Sequence, residues 1–305
     1  MCLNWQKNLG HLLVAICLIS LTSCMAPLTT QTDNAATGTD ESIQHSTELD
    51  NIVSELTNAD YILLGEVHGT AEHHQWQSRI LEWIAHRHRY PSVVFEMFDR
   101  EDAEVILATA KQHPNNADTI AEVIDWDRSG WPDWELYKPV VESALFNNMP
   151  IIAGNFSRKE AMQLVLQKTE GKTDIDILSI ERRAELGLDH DITENDARKL
   201  RQKLLAVHEM KDETMIEAML LAQKVRDAVL AESLMSNNTG AGAVLIAGRE
   251  HTRQDYGVPH YIRTREPEAK IVSIIFATPA DKREIELEST KSGQLVFDVV
   301  LEASE

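Results

Sequence analysis

Apolar side chains in this chain fall into two kinds of run. The short, unbroken kind comprises Tyr61-Ile62-Leu63-Leu64-Gly65, Ser92-Val93-Val94-Phe95-Glu96, Pro150-Ile151-Ile152-Ala153-Gly154, Ala243-Val244-Leu245-Ile246-Ala247-Gly248 and Lys270-Ile271-Val272-Ser273-Ile274-Ile275-Phe276. Runs without polar alternation read as strands covered on both faces. Between them the spacing changes to helical. Trp76, Ile80, Leu81, Trp83 and Ile84 predict a helix over 71–88, and a second follows at about 100–111. From about 157 to 236 there is no strand pattern. That stretch is charged, with Met215, Met219, Leu220, Val225 and Val229 as one apolar stripe, and predicts a helical insertion of a kind that could act as a lid. Glu284-Ile285-Glu286-Leu287 and Leu295-Val296-Phe297-Asp298-Val299-Val300 predict an antiparallel hairpin at the sheet edge. The expected class is α/β: a mostly parallel sheet flanked by helices, with that insertion and C-terminal hairpin.

The first residues do not belong to this pattern. Lys7 precedes an apolar run, Leu12 to Leu21, too short for a stable span but right for a signal-peptide core. Leu21-Thr22-Ser23-Cys24 resembles the bacterial lipobox. That resemblance implies a signal peptide over 1–23, cleavage before Cys24 and acylation (palmitate) of its thiol and new amino group, each buried methylene adding roughly 0.8 kcal/mol to anchoring. An ordinary secretory signal with an incidental cysteine and a short uncleaved anchor are the alternatives. Met25 in place of Asp after the cysteine points to the outer membrane, facing the periplasm, if enterobacterial sorting applies. Residues 24–46 hold scarcely a large apolar side chain and are expected to be a flexible tether, leaving 47–305 as a single domain with one substantial core.

Charge and cysteines narrow the picture further. The net charge of −20 argues against nucleic acid and against electrostatic adhesion to anionic headgroups. Cys2 and Cys17 leave with the signal and Cys24 is acylated, so the mature domain has no disulfide or thiolate metal site.

Candidate chemistry gathers where the strands end. The first run closes with Gly65-Glu66-Val67-His68, the fourth with Gly248-Arg249-Glu250-His251 and the second with Glu96. Ligands of open parallel sheets bind beyond the carboxyl ends of the strands, so Glu66, His68, Glu96 and His251 are expected to share one crevice. Imidazole with carboxylate suits a divalent ion such as zinc or manganese, or a general acid/base pair. A purely structural hydrogen-bonded network satisfies the same residues.

Read together with His74-Gln75-Trp76-Gln77, Phe95-Glu96-Met97, Ser129-Gly130-Trp131-Pro132, Trp134 with Tyr137, Ala153-Gly154-Asn155, Ala222-Gln223 with Arg226-Asp227, and Ala247 to His251 leading to Gly257-Val258-Pro259, these turns resemble the ChaN family, within the larger Tiki, TraB and erythromycin-esterase-like group. The likeness runs in order from about 60 to 262. It implies an iron-regulated, haem-binding lipoprotein serving haem and iron acquisition, with haem bound through tyrosine and pairs of haems stacked in a homodimer. Tyr137, beside the Gly130-Trp131 loop, and Tyr256, after the second Gly-x-x-His turn, are the better ligand candidates, with His208 and Met210 as alternatives. The wider group implies a second reading, a metal-dependent or metal-free hydrolase in which Glu66 or Glu96 activates water beside His68 and His251. The tryptophans at 126, 131 and 134 could line a flat ligand face or plug their loop onto the sheet. Arg226 with Asp227 could order the insertion over the site or form a solvated ion pair. His86-Arg87-His88 reads as an exposed helix terminus.

Overall fold

The five unbroken apolar runs form strands: β1 (Tyr61–Glu66), β2 (Ser92–Asp99), β3 (Ile151–Asn155), β4 (Ala243–Gly248) and β5 (Ile271–Ala277). The computed structural model describes residues 52–172, 177–208, 212–293 and 295–303. Ala59–Glu305 forms one compact unit. Met1–Asn58 is a separate one, of which the helix α1 (Val53–Asn58) is described. The signal peptide, Cys24 and the whole of the expected tether lie outside the described residues.

The sheet has six strands in the order β3-β2-β4-β1-β5-β6, all parallel. β1 and β4 are central and buried throughout, which is why their sequences carry no alternation. From β1 the chain crosses toward the β3 edge, whereas from β4 it crosses toward the β6 edge. These connections pass over each other's strands on opposite faces, and the adjacent carboxyl ends of β1 and β4 form the rim beyond which ligands of such sheets usually bind.

One face is covered by α2 (Ala71–His86) and α6 (Trp134–Phe146), which pack side by side. Between β2 and α6 the chain forms α3 (Ala103–Gln112), α4 (Asp118–Val123) and α5 (Trp126–Ser129). The opposite face belongs to the insertion, which comprises α7 (Arg158–Thr169), α8 (Ile180–Glu185), α9 (Glu194–His208) and α10 (Glu213–Ser236), and to α11 (Val258–Arg265). Val225, Ala228, Val229, Leu230 and Leu234 of α10 join Leu63, Val94 and Leu245 of the sheet in one core cluster. Each of these buried valine and leucine side chains contributes on the order of 1.5–3 kcal/mol. The C-terminal half of the insertion is thus a core layer. Its N-terminal half differs: Ile216 and Leu220 form a small satellite cluster with Ile192 and Leu200 around Tyr256.

The expected C-terminal hairpin does not form. Glu284–Leu287 lies within α12 (Pro279–Ser292), and β6 (Val299–Glu302) pairs parallel with β5. Thr278 caps α12 by accepting from the Asp281 backbone N–H, Pro279 opens it, and the Lys, Arg and Glu residues that follow favour helix over the strand suggested by a brief alternation. A strand-helix-strand crossover then makes the last pairing parallel.

Candidate functional site

Glu66 and Glu96 point to opposite faces of the sheet and meet at its rim. Glu66, at the last position of β1, faces α2: Gln77 Nε2 donates to Glu66 Oε2 at 2.8 Å and to the Leu64 carbonyl at 3.3 Å. Glu96 faces α10, where Arg226 donates to its Oε1 at 2.6 Å. An irregularity in β2 turns the chain here. From Phe95↔Ala153 to Asp99↔Asn155, β2 spends four steps against two on β3, the sort of bulge that re-aims a side chain at a sheet rim.

His68 stands beyond the end of β1 and bridges the two carboxylates. Its Nδ1 lies 2.8 Å from Glu66 Oε1 and its Nε2 3.8 Å from Glu96 Oε2. A Cβ at Gly248 would lie 2.8 Å from that Nε2, so the glycine of the second turn makes room for the histidine of the first. His251 lies deeper, with Nε2 3.2 Å from Glu96 Oε1 and Nδ1 2.5 Å from Asp227 Oδ1. The Gly248 backbone N–H donates to Glu96 Oε2 at 2.8 Å. All four side chains singled out at strand ends are therefore brought together, although β1 and β4 are far apart in the chain.

The surroundings are charged and dry. Burial alone would raise both glutamates. Instead His74 and His68 hold Glu66 well below the usual carboxylate range, and His251 and Arg226 do the same for Glu96. His251 is buried, which opposes its charge, yet Glu96 and Asp227 push it up to about 9. Burial pushes Asp227 up to about 6. Its Oδ2 is buried with no hydrogen-bond partner among the described residues. His73 holds the first turn rather than the site: Val67 N–H donates to its Nδ1 at 3.0 Å, and burial lowers it to about 4.

Among the described residues, no group of three or more His, Cys, Asp or Glu side chains is arranged to hold a metal ion. The Glu96 oxygens are engaged by Gly248, Arg226 and His251, and the guanidinium supplies the positive charge that a cation would bring.

Several members of the cluster carry no strand-end signal. His74 and Gln77 share the buried side of α2, with His74 Nδ1 3.3 Å from Glu66 Oε2. Gln223, Arg226 and Asp227 share one side of α10, and the Gln223 amide lies 3.0 Å from His251 Nδ1. The signal available was polar side chains three and four apart on otherwise apolar helix faces.

The expected haem ligands are differently placed. Tyr137 is buried against His74, Trp126 and the rim, its hydroxyl 3.5 Å from His68 Nδ1. Tyr256 is buried under Arg253 and donates to Glu250. Burial and a neighbouring glutamate raise both phenols above their ordinary value, so neither stands ready as an exposed phenolate. His208 is the last residue of α9, and Met210 lies outside the described residues. Two of the three loop tryptophans plug the structure: Trp126 and Trp134 are buried and pack edge to face. Trp131 is partly exposed and lies edge-on to His68 at 5.0 Å between ring centroids.

Comparison with known proteins bears on this arrangement. A family profile described as haem-binding uptake, Tiki superfamily, ChaN, matches residues 52–262. The fold is similar to that of a structure solved for cofacial haem binding to ChaN of Campylobacter jejuni, at 21% identity and a TM-score of 0.58, covering 75% of this chain and 86% of that one. Weaker likenesses include an erythromycin esterase variant in its open conformation, at 14% identity and a TM-score of 0.43 over 75% of this chain and 72% of that one. A succinoglycan biosynthesis protein reaches 15% and 0.43, over 76% and 69%. No curated protein matches.

Proposed function

The chain belongs to the ChaN family of haem-binding uptake proteins in the Tiki superfamily, and from that premise we propose that it is a haem-binding lipoprotein of the cell envelope serving iron acquisition. In this reading Cys24 carries the acyl anchor in the outer membrane, the domain faces the periplasm, and two copies share stacked haems. The observation that carries the haem assignment is the contrast between a closed interior and an open lip. The buried carboxylates are neutralised from within by Arg226, His251 and His74, whereas above them His68, its side chain 11% exposed, stands beside Trp131 and the exposed Val67. An aromatic and aliphatic lip suits a flat apolar macrocycle better than a charged substrate.

The iron ligand is sought beyond the lip. Arg201 pairs with Glu213 and Glu217, so α9 lies against the first turns of α10. From Gln223, which touches His251, back to Glu213 the helix extends roughly 15 Å past the cluster. His208 ends α9 and is the candidate that remains among the described residues after the burial of Tyr137 and Tyr256; Met210 lies outside them. Bound haem would supply the redox-active iron, while the chain's own part is an axial donor and an apolar seat.

Titrating haemin into the full-length protein tests the reading. A saturable Soret shift is expected, weakened in His208→Ala and retained in Glu96→Gln. No saturable shift at micromolar protein would remove the assignment.

One observation favours a second reading. Two carboxylate-oriented imidazoles, Glu66–His68 and Asp227–His251, face Glu96, an arrangement suited to general acid/base hydrolysis without a metal. Ester hydrolysis that survives chelation and vanishes in both His68→Ala and Glu66→Gln would establish it.

A further inference from the structure

The exposed apolar side chains are unevenly distributed between the two ends of the sheet. Among the described residues, those at the site pole are valines, Val67 at 42% exposed and Val105 at 40% in the first turn of α3, which leaves the carboxyl end of β2. At the opposite pole, where helices return to strands, Phe146 ends α6 at 79% exposed, Leu295 precedes β6 at 60%, and Tyr90 precedes β2 at 46%. Ile180, 78% exposed, opens α8. Arg182 of that short helix pairs with Glu232, near the end of α10 that leads into β4, which places Ile180 toward the same pole. The remaining exposed hydrophobics, Leu107, Val123 and Leu287, lie on helices α3, α4 and α12. Arg87 lies over the Trp83 ring at 3.4 Å just above Tyr90. An indole, a phenol and a snorkelling arginine are the side chains that favour a membrane–water interface.

The compact unit also begins at this pole. Ala59 directly precedes β1, and Arg89 of the α2–β2 turn donates to the Ala59 and Ala241 carbonyls, tying chain entry to two neighbouring turns. Everything N-terminal, including Cys24, is joined to the unit here.

We propose that this pole is a bilayer-facing surface, seating the domain on the lipid headgroup layer and turning the site pole toward the aqueous side. The inference rests on the acyl anchor at Cys24 of the reading above. Residues 25–58, if fully extended, could reach no further than roughly 120 Å, so seating is permitted but not enforced by the chain. The occupant is a bilayer because the chain leading from the proposed anchor joins the unit at this pole and the exposed groups are interfacial in type. A net charge of −20 repels a strongly anionic surface, so the contact is made by aromatic and aliphatic side chains.

The test uses the full-length acylated protein in vesicles of phosphatidylethanolamine with a minor share of phosphatidylglycerol. Fluorophores at Asn147→Cys and Glu268→Cys, near the pole, are compared with one at Asp127→Cys, on the site side. Nitroxide-bearing lipid is expected to quench the first two severalfold more than the third, and Tyr90→Ser with Phe146→Ser to abolish that difference while the protein stays vesicle-bound. Equal quenching with the protein retained would overturn the seating and leave the anchor standing. Failure of the protein to associate with vesicles would overturn both. Shielding of the pole labels in detergent alone, rising with protein concentration, would assign the surface to a second copy instead.

Discussion

The two Gly-x-x-His turns share a spacing but not an environment. The first places His68 at the rim, partly open, against one carboxylate at hydrogen-bond distance and the edge of Trp131. The second places His251 in the interior, between Glu96 and Asp227, with Gln223 alongside. The chain that follows each turn accounts for the difference. After His68 it enters α2 directly, whereas after His251 it runs through a stitched loop. There Arg253 is buried, donating to Asp255 at 3.0 Å and to Glu288 at 2.5 Å, and Lys199 of α9 also reaches Asp255 at 3.0 Å. The Ser273 hydroxyl holds the Thr252 carbonyl. The same motif thus gives an imidazole at the rim in one place and one buried between two carboxylates in the other. A motif specifies where a side chain starts, and its neighbours decide what it meets.

The contrast can be broken from its centre outward. Glu96→Ala is expected to have the largest effect, about 3–5 kcal/mol in chemical denaturation, because the buried His251 and the partly buried Arg226 would lose their shared counter-charge. Gly248→Ala is expected to cost about 1–3 kcal/mol and to displace His68, since the new methyl would lie 2.8 Å from its Nε2. The displacement would appear as a shift of the His68 ring resonances while those of His251 hold. Asp227→Asn is expected to cost about 1 kcal/mol near neutral pH, because an acceptor remains for Nδ1.

That variant also changes the pH dependence. His251 is raised above its unfolded value of about 6.5. Its contribution to stability is therefore complete below that pH and is lost as pH rises through about 9. Removing one of the two carboxylates lowers the folded value, so denaturation midpoints of Asp227→Asn should begin to fall at lower pH than those of the wild type. Trp131→Ala is expected to have the smallest effect on stability, within about 1 kcal/mol, while weakening haemin binding severalfold.

Much of the fold is legible in the sequence because buried parallel strands are unbroken apolar runs bounded by glycine or polar residues. β6 was legible as apolar but not in its direction, since Leu295–Val300 does not reveal which strand it joins. Glu284–Leu287 misleads because four alternating residues look alike in a strand and on a helix whose apolar face is narrow. The strand-end residues Glu66, His68, Glu96 and His251 could be found because the topology of parallel sheets gathers such ends. Arg226 and Asp227 reach them from a helix 130 and 24 residues away from Glu96 and His251 respectively, a juxtaposition that periodicity alone does not predict. Burial of Tyr137 was signalled by Val140, Val141 and Ala144, three, four and seven residues on and buried with it in α6, whereas Tyr256 neighbours no such run.

The charge of His251 tests the central claim most directly. In imidazole nitrogen NMR of the full-length protein at pH 8, both ring nitrogens of His251 should carry protons, one held by Asp227 and the other by Glu96. A neutral His251 ring at that pH would contradict the internally neutralised cluster on which the reading of the site depends.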